Sequence, residues 1–238
     1  LRVVTISKKM RIEEIVNILM NEGVNFEQLD NELAEIMVNS DDEVCRWDAG
    51  QKLFSDCIHG LAGKNQQQQN ASLNQTLAMF EPIIEATDIS LALKAEILTL
   101  PSFETLFQQK SVVDVDILHK SRKQLFTALA TTYQSNWLTH YSRFEKQPYA
   151  YEAQQVEQRK MRNLALKYIT LSKDAGAEQL LAEQFNHADN MTDTLGVLSA
   201  AQLGDLDFFE KLMLDFEQKW HSDPLVLDKW FALHGNTE

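Results

Sequence analysis

The 238-residue chain is 44% hydrophobic and holds only eight Gly and four Pro, a composition that favours a soluble globular protein built from helices rather than a sandwich or barrel. Its 35 acidic and 22 basic side chains give a formal net charge of −13, which excludes nucleic acid and anionic membrane surfaces as expected partners. No apolar run reaches the roughly 18 residues that span a bilayer, and charges interrupt residues Leu1 to Leu19, so we expect a cytoplasmic protein.

The first predicted helices lie between Leu29 and Leu61. Apolar residues at 29, 33, 36 and 37 indicate a short helix, and Ser40-Asp-Asp-Glu43 has the form of a capping box that starts a longer one. Asp42 and Arg46 are spaced to form an exposed ion pair. Apolar spacings of three, four and seven predict a buried stripe of Val44, Trp47, Phe54, Ile58 and Leu61.

The two cysteines belong to this same predicted helix. Cys45 and Cys57 lie twelve residues apart, which at 1.5 Å per residue separates them by about 18 Å. A disulfide requires Cα atoms within about 7 Å, so these two residues cannot pair with each other. We expect reduced thiols.

A glutamine-rich loop is predicted next. Gly60, Gly63 and the run Gln66 to Gln69 indicate a solvated connector, followed by a helix over Leu73 to Glu85. Asp88 has the side chain of a good N-cap and predicts a helix that ends near Leu100.

The middle of the chain predicts one short and one long helix. Pro101-Ser102 interrupts the preceding helix and opens a short one through Phe107. From Asp114 to Phe144 the apolar pattern predicts a helix of about 30 residues, some 45 Å long, with Pro148 just beyond its end. Its stripe consists of Leu118, Leu125, Leu129, Tyr133, Trp137, Tyr141 and Phe144.

A helix from Glu152 to Leu171 is predicted to bury one face and display the other. The buried set is Val156, Met161, Leu164, Ala165 and Tyr168, and the displayed set is Gln155, Arg159 and Arg162. Asp174 is expected to cap the next helix, which runs through Phe185.

Three more helices complete the predicted set. Asn190 caps the first, with Asp193 at its N3 position, where an acidic side chain is stabilised by the helix dipole. Asp205 is expected to cap the second, and Ser222-Asp-Pro224 to start the last. The apolar side chains of the second helix are Leu206, Phe209, Met213, Phe216 and Trp220. Those of the last helix are Leu227, Trp230 and Phe231.

About ten amphipathic helices joined by short polar turns predict an all-α fold. We expect a superhelical stack of antiparallel helix pairs, an α-solenoid of the HEAT or armadillo type. No exact sequence repeat of fixed period accompanies the pattern, so the repeat is structural and degenerate. The outer face of the final helix is expected to need a partner.

No constellation of catalytic residues is found in the sequence. Each of the six histidines is followed by a residue other than Glu, so the chain contains no His-Glu-x-x-His, and we predict no catalytic, cofactor-binding or metal residue. The carboxylate pairs Asp114/Asp116 and Asp205/Asp207 stand at predicted helix starts, where capping explains them better than glycosidase chemistry. The aromatic residues Phe209, Phe216, Trp220 and Trp230 have helical spacing, which favours core packing over a ligand groove.

Five segments, in order and at compatible spacing, resemble the C-terminal helical domain of bacterial aminopeptidase N, the alanyl aminopeptidase type of the gluzincin zinc metallopeptidases. The strings are Arg46-Trp-Asp-Ala-Gly-Gln-Lys-Leu53, Ala95-Glu-Ile-Leu-Thr-Leu-Pro-Ser102, Arg159-Lys-Met-Arg-Asn-Leu-Ala-Leu166, Asn186-His-Ala-Asp-Asn-Met-Thr-Asp193, and Lys219-Trp-His221 with Asp228-Lys-Trp-Phe231. The resemblance covers about Asn31 to Thr237.

The resemblance implies a non-catalytic domain. Family members consist of β domains, a catalytic domain that holds zinc through His-Glu-x-x-His, and a helical array that encloses a peptide chamber. For this chain it implies no cofactor of its own, zinc only in the parent enzyme, and the catalytic and β domains as partners, with peptide substrate contacted only indirectly. The alternative is a free-standing helical-repeat module for protein–protein interaction.

Residues 1–30 do not resemble the segment expected before the helical domain, so we divide the chain into an N-terminal segment, 1–30, and a helical domain, 31–238. The family's domain continues beyond the position of Phe231, so we expect a truncated end, and Leu1 in place of Met also indicates a fragment. The structural or interdomain candidates within the matching strings are Arg46, Trp47, Asp48, Asn190, Asp193, Asp228, Lys229 and Trp230.

Overall fold

The computed structural model of the chain describes residues 30–144 and 147–235. Leu29 and most of the predicted N-terminal segment lie outside these ranges. Within the described ranges the secondary structure is entirely helical, which confirms the all-α prediction. The helices are α1 (Asp30–Asn39), α2 (Glu43–Gly60), α3 (Gln66–Glu85), α4 (Leu91–Ile97), α5 (Phe103–Gln108), α6 (Val115–Thr132), α7 (Gln134–Ser142), α8 (Ala153–Leu171), α9 (Ala177–His187), α10 (Met191–Leu203), α11 (Phe208–Trp220) and α12 (Pro224–Gly235).

The first core extends from α1 to α8 and is built from apolar faces of neighbouring helices. The rings of Phe54 on α2 and Phe80 on α3 stack with centroids 3.8 Å apart, and both side chains are fully buried. The backbone of Gly50 on α2 lies close to α4, since a Cβ built on Gly50 would stand 3.1 Å from Ile97 Cγ2. The small residue therefore allows α2 and α4 to approach closely.

Helix α8 lies at the centre of the array and packs against α4, α6, α7, α9 and α10. Its Tyr168 is fully buried, stacks on Trp137 of α7 with centroids 4.0 Å apart, and donates its hydroxyl to the carbonyl of Leu98 at 2.7 Å. Trp137 in turn donates its indole N–H to the carbonyl of Leu129 at 3.0 Å. Both aromatic polar groups are thus satisfied inside the core.

A second core joins α8 to α12. Its buried residues are Leu166, Leu181, Val197, Leu198, Ala200, Ala201, Phe209, Leu212, Met213 and Phe216. Trp220 and Trp230 pack against it from a half-buried position. The predicted core role of the aromatic residues on α11 and α12 is therefore confirmed for Phe209 and Phe216 and partly met for the two tryptophans.

The predicted buried stripe of α2 was wrong in the first two turns of the helix. Phe54, Ile58 and Leu61 are buried as predicted, whereas Val44 and Trp47 are 68% and 40% exposed. The buried face is centred on Ala49, Gly50 and Leu53, where small residues admit the neighbouring helices closely. Helical spacing alone gave the correct period but not the correct angular position of the face.

The helix starts differ from prediction because different side chains cap them. Asp42, rather than Ser40, caps α2: its Oδ1 accepts the N–H groups of Val44 and Cys45 at 2.8 and 3.1 Å. That carboxylate does not pair with Arg46 as predicted, since Arg46 donates Nε to the carbonyl of Met37 at 2.9 Å. The arginine therefore ties α2 to α1.

The predicted glutamine loop is also wrong, because Gln66 to Gln69 form the first turn of α3. Asn65 accepts the N–H of Gln68 at 3.0 Å, and Gln68 Oε1 accepts the N–H of Asn65 at 3.1 Å, which completes a capping box. Glutamine is a good helix former once such a cap starts the helix.

Two of the other predicted caps are displaced in the same way. Ser90, rather than Asp88, caps α4 through the N–H of Leu93 at 3.1 Å, and that helix ends at Ile97 instead of Leu100. Asp174 accepts the N–H of Gly176 in the turn before α9 instead of capping it.

Asp205 does not cap α11 as predicted, because that helix begins at Phe208. The backbone of Asp205 lies in the left-handed region, with φ of 52°. The caps predicted at Asp114 and Asn190 are confirmed. Ser102 caps α5, the short helix predicted to begin there.

The predicted long helix from Asp114 to Phe144 is two helices, α6 and α7. They meet at Tyr133, whose φ of −110° and ψ of 29° depart from helical values. The hydroxyl of Tyr133 donates to the carbonyl of Leu77 on α3 at 2.9 Å, and this buried hydrogen bond holds the residue at the break. A tertiary contact thus interrupts a helix that is continuous in its sequence pattern.

Candidate functional site

A groove of about 1370 Å³ is lined by α8 together with α6 and α10. We call it the main groove. Its floor comes from α8, its walls from α5, α6 and α10, and its rims from the segments around Tyr151 and Asp205. A volume above 1000 Å³ exceeds what most small-molecule pockets offer and fits an extended ligand.

The side chains that α6 and α8 contribute to the main groove include five positively charged residues, although the chain as a whole is acidic. Arg122 and Lys123 line it from α6, and Arg159, Lys160 and Lys167 line it from α8. Burial lowers the pKa of Lys167, and the positive charge of Arg122 lowers this pKa further. The groove therefore concentrates positive charge where the solvent is partly excluded.

Several of these cations have partners within the domain, among them Arg122, whose Nε donates to the carbonyl of Pro101 at 2.9 Å. Lys160 forms an ion pair with Glu96 of α4. The guanidinium of Arg159 lies 4.8 Å from the Tyr149 ring centroid and donates to Gln155 Oε1 at 3.0 Å. Arg159 is only 8% exposed, which corrects the prediction that it is displayed to solvent. The Arg159 side chain, including its guanidinium, therefore packs against other residues of the domain.

The neighbouring side chains of α8 also differ from prediction. Val156 is 41% exposed instead of buried, and it lines the main groove. Met161, Leu164, Ala165 and Tyr168 are buried as predicted.

The candidates Trp47 and Asp48 lie together in a second groove of about 680 Å³ between α2 and the segment that joins α4 to α5. Both side chains are exposed at its surface. Asp56 lines the same groove, and burial raises the pKa of its carboxyl group. Thr99 and Leu100 line both grooves, so the two lie next to each other.

Asn190 and Asp193 belong to a buried polar network at the start of α10. Asn190 accepts the N–H of Asp193 at 2.9 Å, which confirms the predicted cap, and Arg162 donates to Asp193 Oδ2 at 2.5 Å. Asn163 donates to Asp193 Oδ1 at 3.1 Å and accepts from Gln184 Nε2 at 2.7 Å. The Asp193 carboxylate thus joins α10 to α8. Gln184 of α9 reaches the same network by donating to Asn163 Oδ1 and to the backbone carbonyl of Asp193.

The remaining candidates lie on α12 or in the α1–α2 contact. Asp228 and Lys229 are exposed, whereas Trp230 is half-buried and donates its indole N–H to the carbonyl of Met213 at 3.3 Å. Arg46 joins α1 to α2, as described above. The structure therefore places the eight candidates at separate positions along the array instead of in one site.

Sequence reasoning missed that positively charged side chains of α6 and α8 share the main groove. Arg122 and Lys167 are 45 residues apart in the chain, and each is an ordinary polar position in its own helix. Only the packing of α6 beside α8 brings them to the same groove.

Within residues 30–144 and 147–235, no group of three or more His, Cys, Asp or Glu side chains is arranged to hold a metal ion. Over the same ranges, no helix is both long enough and apolar enough to cross a bilayer.

A family described as a domain of unknown function with ARM repeats, DUF3458_C, matches residues 30–238. The chain belongs to this family. Its ARM repeats agree with the helical solenoid described above. Aminopeptidase N of Escherichia coli is 33% identical over 209 residues, and that of Haemophilus influenzae is 29% identical over 211 residues. The matches cover 87% and 88% of the chain but only 24% of each relative.

Among solved structures, an aminopeptidase A of Legionella pneumophila, determined in complex with aspartic acid, shares the fold of this ARM-repeat domain with a TM-score of 0.73. The sequences are 20% identical, and the match covers 88% of this chain and 25% of that one. The ARM-repeat domain thus spans about a quarter of the length of the aminopeptidases that it matches. Together the matches fit a C-terminal domain of aminopeptidase N, as the sequence motifs predict.

Proposed function

We propose that this ARM-repeat domain is a non-catalytic part of a zinc aminopeptidase, which docks on the catalytic and β domains and encloses the chamber where peptides lose their N-terminal residues. The observation that carries the proposal is the match of 209 residues to a quarter of aminopeptidase N. Zinc and the catalytic residues are then contributed by the companion domains.

The arrangement of the helices supports an enclosing role. An array of stacked helices presents an extended surface rather than a deep pocket, and such surfaces suit contact with large partners. The two adjacent grooves and the exposed Trp47 provide a continuous irregular face. We propose that Trp47 and Asp48 contact a companion domain there, and that Asp228, Lys229 and Trp230 do so on α12.

Two measurements on the purified chain test the non-catalytic part of the proposal. We expect the chain to bind no zinc stoichiometrically by metal analysis and to leave an alanyl-arylamide substrate uncleaved. Turnover above background that a chelator abolishes would contradict the proposal, because the chain would then hold its own metal centre.

Docking is tested by mixing the purified chain with the part of Escherichia coli aminopeptidase N that lacks the matching region, and measuring association by analytical ultracentrifugation. Trp47→Ala is expected to weaken association, whereas Val112→Ala, at an 88% exposed position outside both grooves, serves as the matched control. Association of equal strength for both variants would exclude the face around Trp47.

A free-standing interaction module is the second candidate function, and the size of the main groove favours it. This alternative predicts tight binding to an unrelated protein and no affinity for aminopeptidase domains. The same ultracentrifugation experiment separates the two functions.

A further inference from the structure

Three basic side chains meet at the C-terminal end of α3, and none of them lines either groove. Lys94 of α4 donates its ammonium group to the carbonyl of Ile84 at 3.0 Å and also to the carbonyl of Ala86. His140 of α7 contacts the same Ile84 carbonyl through Nε2 at 3.1 Å. Arg143, directly after α7, acts on both side chains through its positive charge. One backbone oxygen therefore ties α4 and α7 to the end of α3.

The surroundings of the His140 ring favour its neutral form. A carbonyl oxygen only accepts hydrogen bonds, so the single proton of the neutral ring lies on Nε2 and points to Ile84. Nδ1 is then without a proton, and this buried atom has no hydrogen-bond partner among the described residues. Burial lowers the pKa of His140, and the charges of Lys94 and Arg143 lower it further, although the hydrogen bond to Ile84 opposes them.

A second proton on this ring is unfavourable for three reasons. It creates a buried N–H donor at Nδ1 that has no acceptor within the described part of the chain. It places a positive charge on a side chain that is only 6% exposed. Over the same residues, the charged groups that act on His140 are Lys94 and Arg143, both positive, whereas the carboxylate of Asp88 acts on Lys94.

The end of a helix normally attracts a cation, which would oppose these effects. At the end of α3, however, Lys94 already donates to two backbone carbonyls and is 1% exposed. Burial lowers the pKa of Lys94 to about 8, so its ammonium group stays charged below pH 7. A second cation on His140 therefore meets the repulsion of the first, and protonation weakens the contact between α7 and α3.

Other contacts hold the remainder of α3 and α7 in place, so this weakening is local. Phe80 stacks with Phe54 of α2, and Tyr133 donates its hydroxyl to the carbonyl of Leu77. Burial raises the pKa of Tyr133 to about 12, so neither contact titrates near neutral pH. The ring of Trp137 holds α7 on α8 by stacking. The part of α3 that depends on His140 is its last turn.

We propose that His140 is an acid-sensitive switch, which holds the end of α3 against α4 and α7 while its ring is neutral and releases this end when the ring binds a proton. The released part is the last turn of α3 and the following turn, residues 84–90. The inference does not depend on the proposed aminopeptidase role, because every contact that carries it lies within this domain.

The direction of the pH dependence follows from linkage. In the open form the ring is solvated and protonates with an ordinary histidine pKa of about 6.5, whereas in the closed form the pKa is lower. The closed form therefore has its full advantage above about pH 6.5 and loses it as the pH falls. One proton changes the ratio of open to closed forms by up to about tenfold per pH unit.

Hydrogen–deuterium exchange of the full chain, followed by mass spectrometry between pH 7.5 and pH 5, tests the switch. Exchange times are scaled for the intrinsic pH dependence of amide exchange. The amide of Ala86 donates to the Pro82 carbonyl, so a peptide that spans residues 81–90 reports the opening. We expect this opening to become about tenfold more frequent between pH 6 and pH 5, whereas a peptide from α10 should show no such rise.

Two variants assign the effect to one histidine. His140→Gln keeps an amide nitrogen that can donate to the Ile84 carbonyl but takes up no proton, so opening at the end of α3 should no longer depend on pH in this range. His221→Gln removes an exposed histidine after α11 and should behave like the unchanged chain. An equal rise in opening for His140→Gln and the unchanged chain would overturn the proposal.

A second measurement needs no variant. In a long-range proton–nitrogen NMR spectrum with assigned histidine rings, we expect His140 in the folded chain at pH 6 to be neutral, with its proton on Nε2. A charged His140 ring under these conditions would overturn the proposal, as would pH-independent exchange at the end of α3 in the unchanged chain. Neither experiment involves a companion domain, so failure of the switch and failure of docking are separate results.

Discussion

Replacement of Gly196 by alanine should destabilise the domain, although glycine inside a helix is normally the weaker residue. Gly196 lies within α10, and a Cβ built on it would stand 2.6 Å from both Cγ and Oδ1 of Asn163 on α8. Asn163 cannot move aside freely, because it is buried and hydrogen-bonded to Asp193 and Gln184. The added methyl group must therefore displace the buried polar network.

The magnitude follows from three opposing effects. Alanine in a helix interior is favoured over glycine by about 1 kcal/mol. Overpacking of a dense interior costs about 1–3 kcal/mol. Shifting Asn163 weakens its two hydrogen bonds, one of them to a carboxylate, for a further loss of about 2 kcal/mol. The losses exceed the gain, and we expect a net destabilisation of about 3 kcal/mol.

Urea denaturation followed by circular dichroism at 222 nm measures this change, with Gly60→Ala as the matched control. A Cβ at Gly60, the last residue of α2, would meet only Lys64 Nζ at 3.6 Å, an ordinary contact, so this variant should be unchanged or more stable by up to about 1 kcal/mol. The double variant Gly196→Ala with Asn163→Ala should lose less than the sum of the single losses, because the clash is gone. A Gly196→Ala chain as stable as the unchanged chain would refute the reasoning.

Three further predictions concern buried polar groups. Tyr168→Phe removes the hydroxyl that donates to the Leu98 carbonyl and should cost about 1–2 kcal/mol in urea denaturation; no loss would contradict the buried hydrogen bond. Lys94 is 1% exposed and donates to the Ile84 carbonyl, and burial lowers its pKa from 10.5 to about 8. From pH 8 to 10.5 the unfolded chain holds a proton that the folded chain has released, so stability should rise with pH relative to Lys94→Met, and parallel pH profiles would contradict this. Burial raises the pKa of Cys57, so the Cys57 thiol should react with a maleimide only after unfolding. Fast labelling of Cys57 in the native chain would contradict the fold.

Helix positions were largely predictable because apolar side chains recur at the helical period. The stripe from Leu118 to Leu129 and the cap at Asn190 follow from local rules, and the structure confirms both. The angular position of a buried face was less predictable. Trp47 is exposed because α2 packs against its neighbours through the face that contains Gly50. The contribution of a glycine to close helix packing becomes evident only when the neighbouring helices are in place.

The break at Tyr133 and the burial of Lys94 were not predictable for a related reason. Tyr133 leaves the helical conformation while its hydroxyl binds the Leu77 carbonyl, a contact across 56 residues. Lys94 donates to the carbonyls of Ile84 and Ala86 at the end of α3, where a cation stabilises the helix dipole. In both cases a polar side chain reaches a backbone group of another helix.

The candidate site shows the same division between local and tertiary information. The motif around Asn190 and Asp193 was recognisable, and its residues form the predicted cap. Arg122 and Lys167 carried no signal, because neither lies in a recognised motif and each is polar within its own helix. This charge pattern arises where α6 packs beside α8, so the pattern of either helix alone does not reveal it.

A chimeric enzyme tests the central claim most directly. The region of Escherichia coli aminopeptidase N that matches residues 30–238 is replaced by this chain, and alanyl-arylamide hydrolysis is compared with that of the intact enzyme and of the enzyme lacking the region. The account predicts that the shortened enzyme loses activity although it keeps its zinc, and that the chimera regains this activity. A chimera that folds and binds zinc but remains as inactive as the shortened enzyme would contradict the proposed role.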